Sequence, residues 1–134
     1  MKDQLDQLEG LFKALGDATR LRILRLLMAG EICVCDIHDT LKIPQAKASR
    51  HLAYLRRAGL VTTRREGLWI HYRLATSADP IIVTVADATT HVLGHVETLK
   101  KDAERLEKRT GCCVPAAARA KGLACCAPAS KAAR

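Results

Sequence analysis

A chain of 134 residues, 49% hydrophobic and 27% charged, has the length and composition of one globular domain. Only 3% is aromatic, so the core has to be aliphatic, and no apolar run reaches the roughly 18 residues of a membrane span. The net charge of +8 is uneven: residues 42–73 carry +7, against −2 in 1–41, −1 in 74–109 and +4 in 110–134. Such a basic block favours a polyanionic partner, with a merely solvated basic face as the alternative.

Leu5, Leu8, Leu11, Phe12 and Leu15 repeat at helical spacing and predict a first amphipathic helix over residues 3–15, ended by Gly16. Asp17 is placed to cap a second helix, running to about Ala29 with Leu21, Ile23, Leu24, Leu26 and Leu27 inward and Gly30 behind it. A short third helix is expected from about Cys33 to Leu41, burying Ile37 and Leu41. Pro44 suits the start of a fourth, in which Ala48, Leu52 and Leu55 form the inward face and Gly59 the stop. The period then changes to two. LVTTRR and LWIHYRLA read as strands of a hairpin turning at Glu66–Gly67, with Trp69 and Tyr72 as packing residues. Pro80 opens a last helix, expected to run unbroken to about Arg109. Its Val85, Val92, Leu99 and Leu106 recur every seven residues and suggest a dimer seam. Packing on the first helix of the same chain is the alternative.

The polar opening MKDQLDQLEG has no secretory apolar stretch, so a cytoplasmic location is expected. In that reducing compartment the six cysteines serve packing, metal or metalloid binding, or redox chemistry rather than a disulfide scaffold. Four of them lie in residues 110–134, a stretch with nine alanines, two prolines and no acid. It reads as a flexible basic tail appended to a domain of residues 1–109.

A short helix, a turn, a basic helix and a basic hairpin make a winged helix-turn-helix, mainly α with a β-hairpin wing. The exposed N-terminal half of the fourth helix suits the major groove of double-stranded DNA. Gln45, Lys47, Ser49, Arg50 and His51 are the candidate contacts there, and Arg64 and Arg65 on the wing would meet phosphates or the minor groove. For His51 the alternative is a partly buried helix histidine. Arg56 and Arg57 are equally placed to be solvated where a helix C-terminus favours positive charge.

The strings ALGDATRLRILRLL, ICVCDI, QAKASRHLAYLRRAGLV and RREGLWIHYRL resemble, in order and spacing, the ArsR/SmtB family of metal-sensing repressors. The likeness covers about residues 8–75 and the last helix. It implies a homodimer, joined through the first and last helices, that binds an operator and leaves it when a metal or metalloid ion binds; it does not imply an enzyme. Within the family, CVCD resembles the sensing motif of arsenite- or cadmium/lead-responsive members. This implies Cys33 and Cys35 as thiolate ligands and As(III) or Sb(III) as inducer, with Cd, Pb or Zn ions as the alternative and a thiol redox sensor behind both.

Arsenite repressors of the best-known type carry a third cysteine three residues after the second, where this chain has His38. The third ligand is therefore open between His38, a tail cysteine (Cys112, Cys113, Cys125 or Cys126) and a small exogenous group. Asp87, His91, His95 and Glu97 also invite a zinc reading, but their spacing departs from the family's zinc pattern, and solvated or interface roles are expected. On a helix, residues two apart point nearly oppositely. Binding one ion through Cys33 and Cys35 is therefore expected to unwind the start of the third helix and so displace the fourth.

Overall fold

The structure is a computed structural model and describes residues 3–108. Aspartates open three of its helices. Asp3 caps α1 (Gln4–Leu15), its carboxylate accepting from Asp6 N–H at 2.8 Å. Asp17 caps α2 (Ala18–Leu27), accepting from Arg20 N–H at 3.1 Å. Asp79 caps α5 (Pro80–Leu93), accepting from Ile81 N–H at 2.9 Å and from Gln7 Nε2 at 2.8 Å, which ties α5 to α1. Each cap satisfies backbone donors that a helix start leaves unpaired.

Between α2 and α5 lie β1 (Ile32–Cys33), α3 (Val34–Leu41), α4 (Gln45–Arg57), β2 (Val61–Glu66) and β3 (Trp69–Leu74). The fully buried side chains Leu11, Ile23, Leu26, Leu27, Ile37, Leu52, Leu55 and Val61 make an aliphatic core under them, as the low aromatic content requires. β2 and β3 pair antiparallel from Val61↔Leu74 to Glu66↔Trp69. The turn is therefore Gly67–Leu68, one residue later than the spacing suggests, because Glu66 still pairs. Gly67 takes φ +63 there, a conformation that a two-residue hairpin loop demands and a side chain resists.

Two features depart from the sequence expectation. First, the hairpin is two strands of a three-stranded sheet, ordered β1-β3-β2. Ile32 and Cys33 pair with Tyr72 and His71, so Cys33 belongs to a strand and α3 starts one residue later. Second, the long last helix is broken. α5 stops at Leu93, and α6 (Glu97–Lys108) begins after Gly94, His95 and Val96, where the bonds tighten to His95 N–H on Val92 C=O and Val96 N–H on Leu93 C=O. α6 turns back and buries Leu99 and Asp102. Arg22 of α2 donates from Nε and Nη2 to the Asp102 carboxylate at 2.9 and 3.1 Å, Arg105 bonds the same carboxylate, and Arg105 Nε donates to Thr40 C=O at the end of α3. Glycine weakens the helix at the break, and the buried pair with Leu99 favours the fold-back. The heptad row is thereby split: Leu99 is buried within its own chain, whereas Val92 is 58% exposed.

Candidate metal centre and DNA-facing surface

The expected divergence of Cys33 and Cys35 is corrected by the backbone. Cys33 is not inside a helix turn. It is the last residue of β1 and the N-cap of α3, with extended φ −86 and ψ 161, while Cys35 is the second residue of α3. The change from strand to helix between them turns both side chains to one side, and their sulfurs lie 2.8 Å apart. Two thiolates sharing an ion through bonds of about 2.3 Å sit roughly 3.5–4 Å apart. To hold one ion the pair would have to open by about 1 Å, far less than residues on opposite faces of a helix would require.

A third group joins them that the residue pattern did not single out. Asp36 Oδ2 lies 3.8 Å from Cys33 Sγ, and ligand atoms of Cys33, Cys35 and Asp36 all fall within 4.8 Å of one another, with all three residues buried. The legible signal was position: CVCD sets an acid in the first turn of α3, where the helix N-terminus favours negative charge. Trp69 of β3 packs against the two cysteines. His38 does not converge on this group. Its Nδ1 lies 3.2 Å from the Ile43 carbonyl, within the link from α3 to α4. His91 and His95 meet edge to face at 5.0 Å but are exposed, as are Asp87 and Glu97, and among the described residues they form no converging ligand group. Cys112, Cys113, Cys125 and Cys126 lie outside the described residues.

On α4 the inward row is Ala48, Leu52 and Leu55, as the spacing predicts. Arg50, Arg56 and Arg57 are exposed, and Gln45, Lys47 and Ser49 are half-buried around the N-terminal half. His51 faces the start of α2, its Nδ1 3.3 Å from Arg20 Nη1 and 4.0 Å from Asp17 Oδ1. Burial holds its pKa below the ordinary histidine value, and the positive charges of Arg20, Lys47 and Arg50 act the same way against the opposing pull of Asp17. Arg20 also donates to the Ala14 and Lys13 carbonyls and lies over the Tyr54 ring at 4.1 Å, so this corner locks α2 to α4.

The two wing arginines differ. Arg65 is exposed. Arg64 reaches back to Glu31, its Nε 3.0 Å from both carboxylate oxygens and its Nη2 2.6 Å from one. That guanidinium holds the Glu31 carboxyl below the usual carboxylate range.

A helix, a turn, a basic helix and a sheet carrying a basic wing define a winged helix-turn-helix. Comparison with known proteins agrees. Residues 17–63 match the family described as "Bacterial regulatory protein, arsR family". The chain is 42% identical over 101 residues to an arsenic resistance transcriptional regulator of Pseudomonas putida, covering 72% of this chain and 74% of that one. It is 54% identical over 66 residues to the arsenical resistance operon repressor of Escherichia coli, covering 48% of this chain and 56%, little more than half, of that protein. A homodimeric winged helix-turn-helix DNA-binding domain from Mycobacterium bovis, described as a possible ArsR-family regulator, superposes with a TM-score of 0.56 at 31% identity, covering 82% of this chain and 94% of that one. A cadmium resistance regulatory protein CadC homolog of Staphylococcus aureus is also similar, 42% identical over 65 residues, 48% of this chain and 54% of that protein. The chain belongs to the arsR family, whose members here are regulators of transcription rather than enzymes. No helix among the described residues is long and apolar enough to cross a membrane.

Proposed function

We propose that this protein is a homodimeric transcriptional repressor that binds double-stranded operator DNA and is released when As(III) or Sb(III) is captured by Cys33 and Cys35. The observation that carries this reading is the convergence of the two sulfurs at the start of α3, directly beside the reading unit. Soft thiophilic ions seek such a pair. Capture requires both sulfurs as thiolates, so it releases protons. The chain divides into a domain of residues 1–109 and a tail of 110–134, and the tail cysteines, Cys112 and Cys113 ahead of Cys125 and Cys126, are the candidates for a third sulfur, from the same or the other subunit. DNA is met by Gln45, Lys47, Ser49 and Arg50 on α4 and by Arg65 and Arg64 on the wing, with His51 positioning α4 from behind.

Asp36 favours a second reading. Two sulfurs and one carboxylate oxygen suit a borderline divalent ion such as Zn²⁺, with Cd²⁺ and Pb²⁺ the softer alternatives, better than they suit a trivalent metalloid. For the dimer, an apolar groove of about 550 Å³ lined by Phe12, Leu15, Leu21, Val92, Val96 and Leu99 supports a second copy as occupant. Its rim is α1 and the broken α5–α6 pair, with Phe12 58% and Val92 58% exposed.

The test is titration of As(III), Sb(III), Cd²⁺, Pb²⁺ and Zn²⁺ into reduced full-length protein bound to labelled upstream DNA. DNA binding should weaken steeply with salt. Cys33→Ser and Cys35→Ser should keep DNA binding and lose ion-driven release. Full release of either variant by the same ion concentration would sink the proposal. Substituting all four tail cysteines with serine in the full chain decides their part: unchanged As(III) sensitivity removes them from the ligand set.

A further inference from the structure

With the two sulfurs already converged at the start of an intact α3, the sheet offers a route from the cysteine pair to the wing. Cys33 is paired with His71, and His71 with Arg64, so the three residues form one row across β1, β3 and β2. Directly opposed residues of an antiparallel ladder project from the same face. Period two adds Glu66 and Trp69 to that face, and Glu31, just ahead of β1, reaches it through Arg64. The contacts along it are continuous: Trp69 packs on the cysteines, His71 Nε2 lies 3.4 Å from Glu66 Oε1, Glu66 lies 3.8 Å from Arg64, and Arg64 forks onto Glu31. Glu31 closes the loop, standing two residues before Cys33 on the same short stretch of chain.

We propose that the Glu31–Arg64 pair transmits occupancy of the cysteine site to the wing, and that Arg64 is shared between Glu31 and a DNA phosphate. This rests on the reading of the chain as an ion-responsive DNA-binding protein. Arg64 engages Glu31 through Nε and Nη2, which leaves the Nη1 edge of a five-donor group to meet a phosphate. β1 is only two residues long and is held by a single neighbouring strand. Opening the sulfurs around an ion therefore moves Cys33 and Glu31 together. Arg64 follows its carboxylate, and the wing loses its phosphate geometry. Glu31 and Arg64 are positioning residues in this scheme, since neither touches the ion.

The experiment uses full-length protein and two separate readouts. Trp69 is the sole tryptophan and packs on the cysteines, so its fluorescence reports Cd²⁺ or As(III) binding without DNA. Anisotropy of labelled operator gives DNA affinity with and without the same ion. Glu31→Gln should keep the parent Trp69 titration, while the ratio of operator affinities without and with ion falls toward one. Arg64→Gln should lose the same coupling, together with part of the DNA affinity, and its salt slope should drop by about one. The double variant should show no further loss of coupling than either single change, because both break one link. Arg64→Lys, which keeps the charge without the fork, should couple weakly. The proposal is overturned if Glu31→Gln retains the parent ratio, or if the two single losses add. A parent that shows no Trp69 response, or no operator binding, instead defeats the function proposed above, and the two failures are told apart by which readout is silent.

Discussion

Two ionic clusters hold this molecule, and they are built to different ends. At the back, Asp102 of α6 is 1% exposed and bonded by both Arg22 and Arg105. At the front, Glu31, Arg64, Glu66 and His71 are strung across one face of the three-stranded sheet, with the Arg64 side chain 48% exposed and His71 buried. A buried carboxylate with two cations has one tolerable arrangement, because losing a partner leaves a charge without water. An exposed pair has water and counterions as ready substitutes, so it contributes little to stability and its geometry is free to change. The back cluster is suited to fixing α6 against α2 and α3, and the front one, as proposed, to reporting what happens at the cysteines.

The largest test of this contrast is Asp102→Ala. Arg22 would be left half-buried without its partner, and α6 would lose its anchor beside Leu99. A loss of about 2–3 kcal/mol in urea unfolding is expected. A loss near zero would mean that α6 is held by Leu99 and Leu106 alone. By contrast, Glu31→Gln should move the urea midpoint very little, while removing most of the coupling described above. A large destabilisation by Glu31→Gln would make the front pair a structural clamp and erase the distinction.

A third ionic corner, His51 with Asp17 and Arg20, lies between these extremes in exposure and sharpens the comparison through pH. The folded state holds the pKa of His51 below its ordinary value near 6.5. Between that lowered value and about 6.5, the unfolded chain binds more protons than the folded one, so stability rises with pH across the window. The contribution is fully present above about 6.5 and is lost as pH falls toward the lowered value. The depressed carboxyls of Glu31 and Asp79 act at more acid pH, their contribution lost as pH falls through the carboxylate range. Urea midpoints followed from pH 7.5 to 5 should fall for the parent and fall less for His51→Gln. Equal slopes for the two would show that the corner is too hydrated to couple to protons.

What the sequence disclosed and what it concealed follow the range of the interactions. The helices α2 and α4 and the hairpin were legible because apolar spacing and local stops encode them. Ala48, Leu52 and Leu55 needed only a period of 3.6. The strand character of Cys33 was not legible, since two residues carry no alternation and their pairing lies with His71 and Tyr72 far along the chain. The break at Gly94 was masked because the seven-residue recurrence of Val85, Val92, Leu99 and Leu106 runs straight through it. Only the folded chain reveals that Leu99 has a berth against its own core. At the site, residue types announced Cys33 and Cys35. Their convergence came from a change of backbone conformation, and the Glu31–Arg64 contact spans 33 residues.

The smallest predicted effect bears on the route of the signal. Lys42, at the end of α3, takes φ +59, left-handed backbone that costs a side-chain-bearing residue about 1 kcal/mol relative to glycine. Lys42→Gly relieves that strain but also loosens the unfolded chain, which offsets part of the gain. A rise in the urea midpoint worth under about 1 kcal/mol is expected, with an unchanged m-value. The position joins α3 to α4 and lies outside both ionic clusters. If the signal travels along the sheet to the wing, loosening this joint leaves the ratio of operator affinities without and with ion as it was. If the signal instead runs down α3 into α4, the more pliable joint should absorb it, and the ratio should fall although Glu31 and Arg64 are intact.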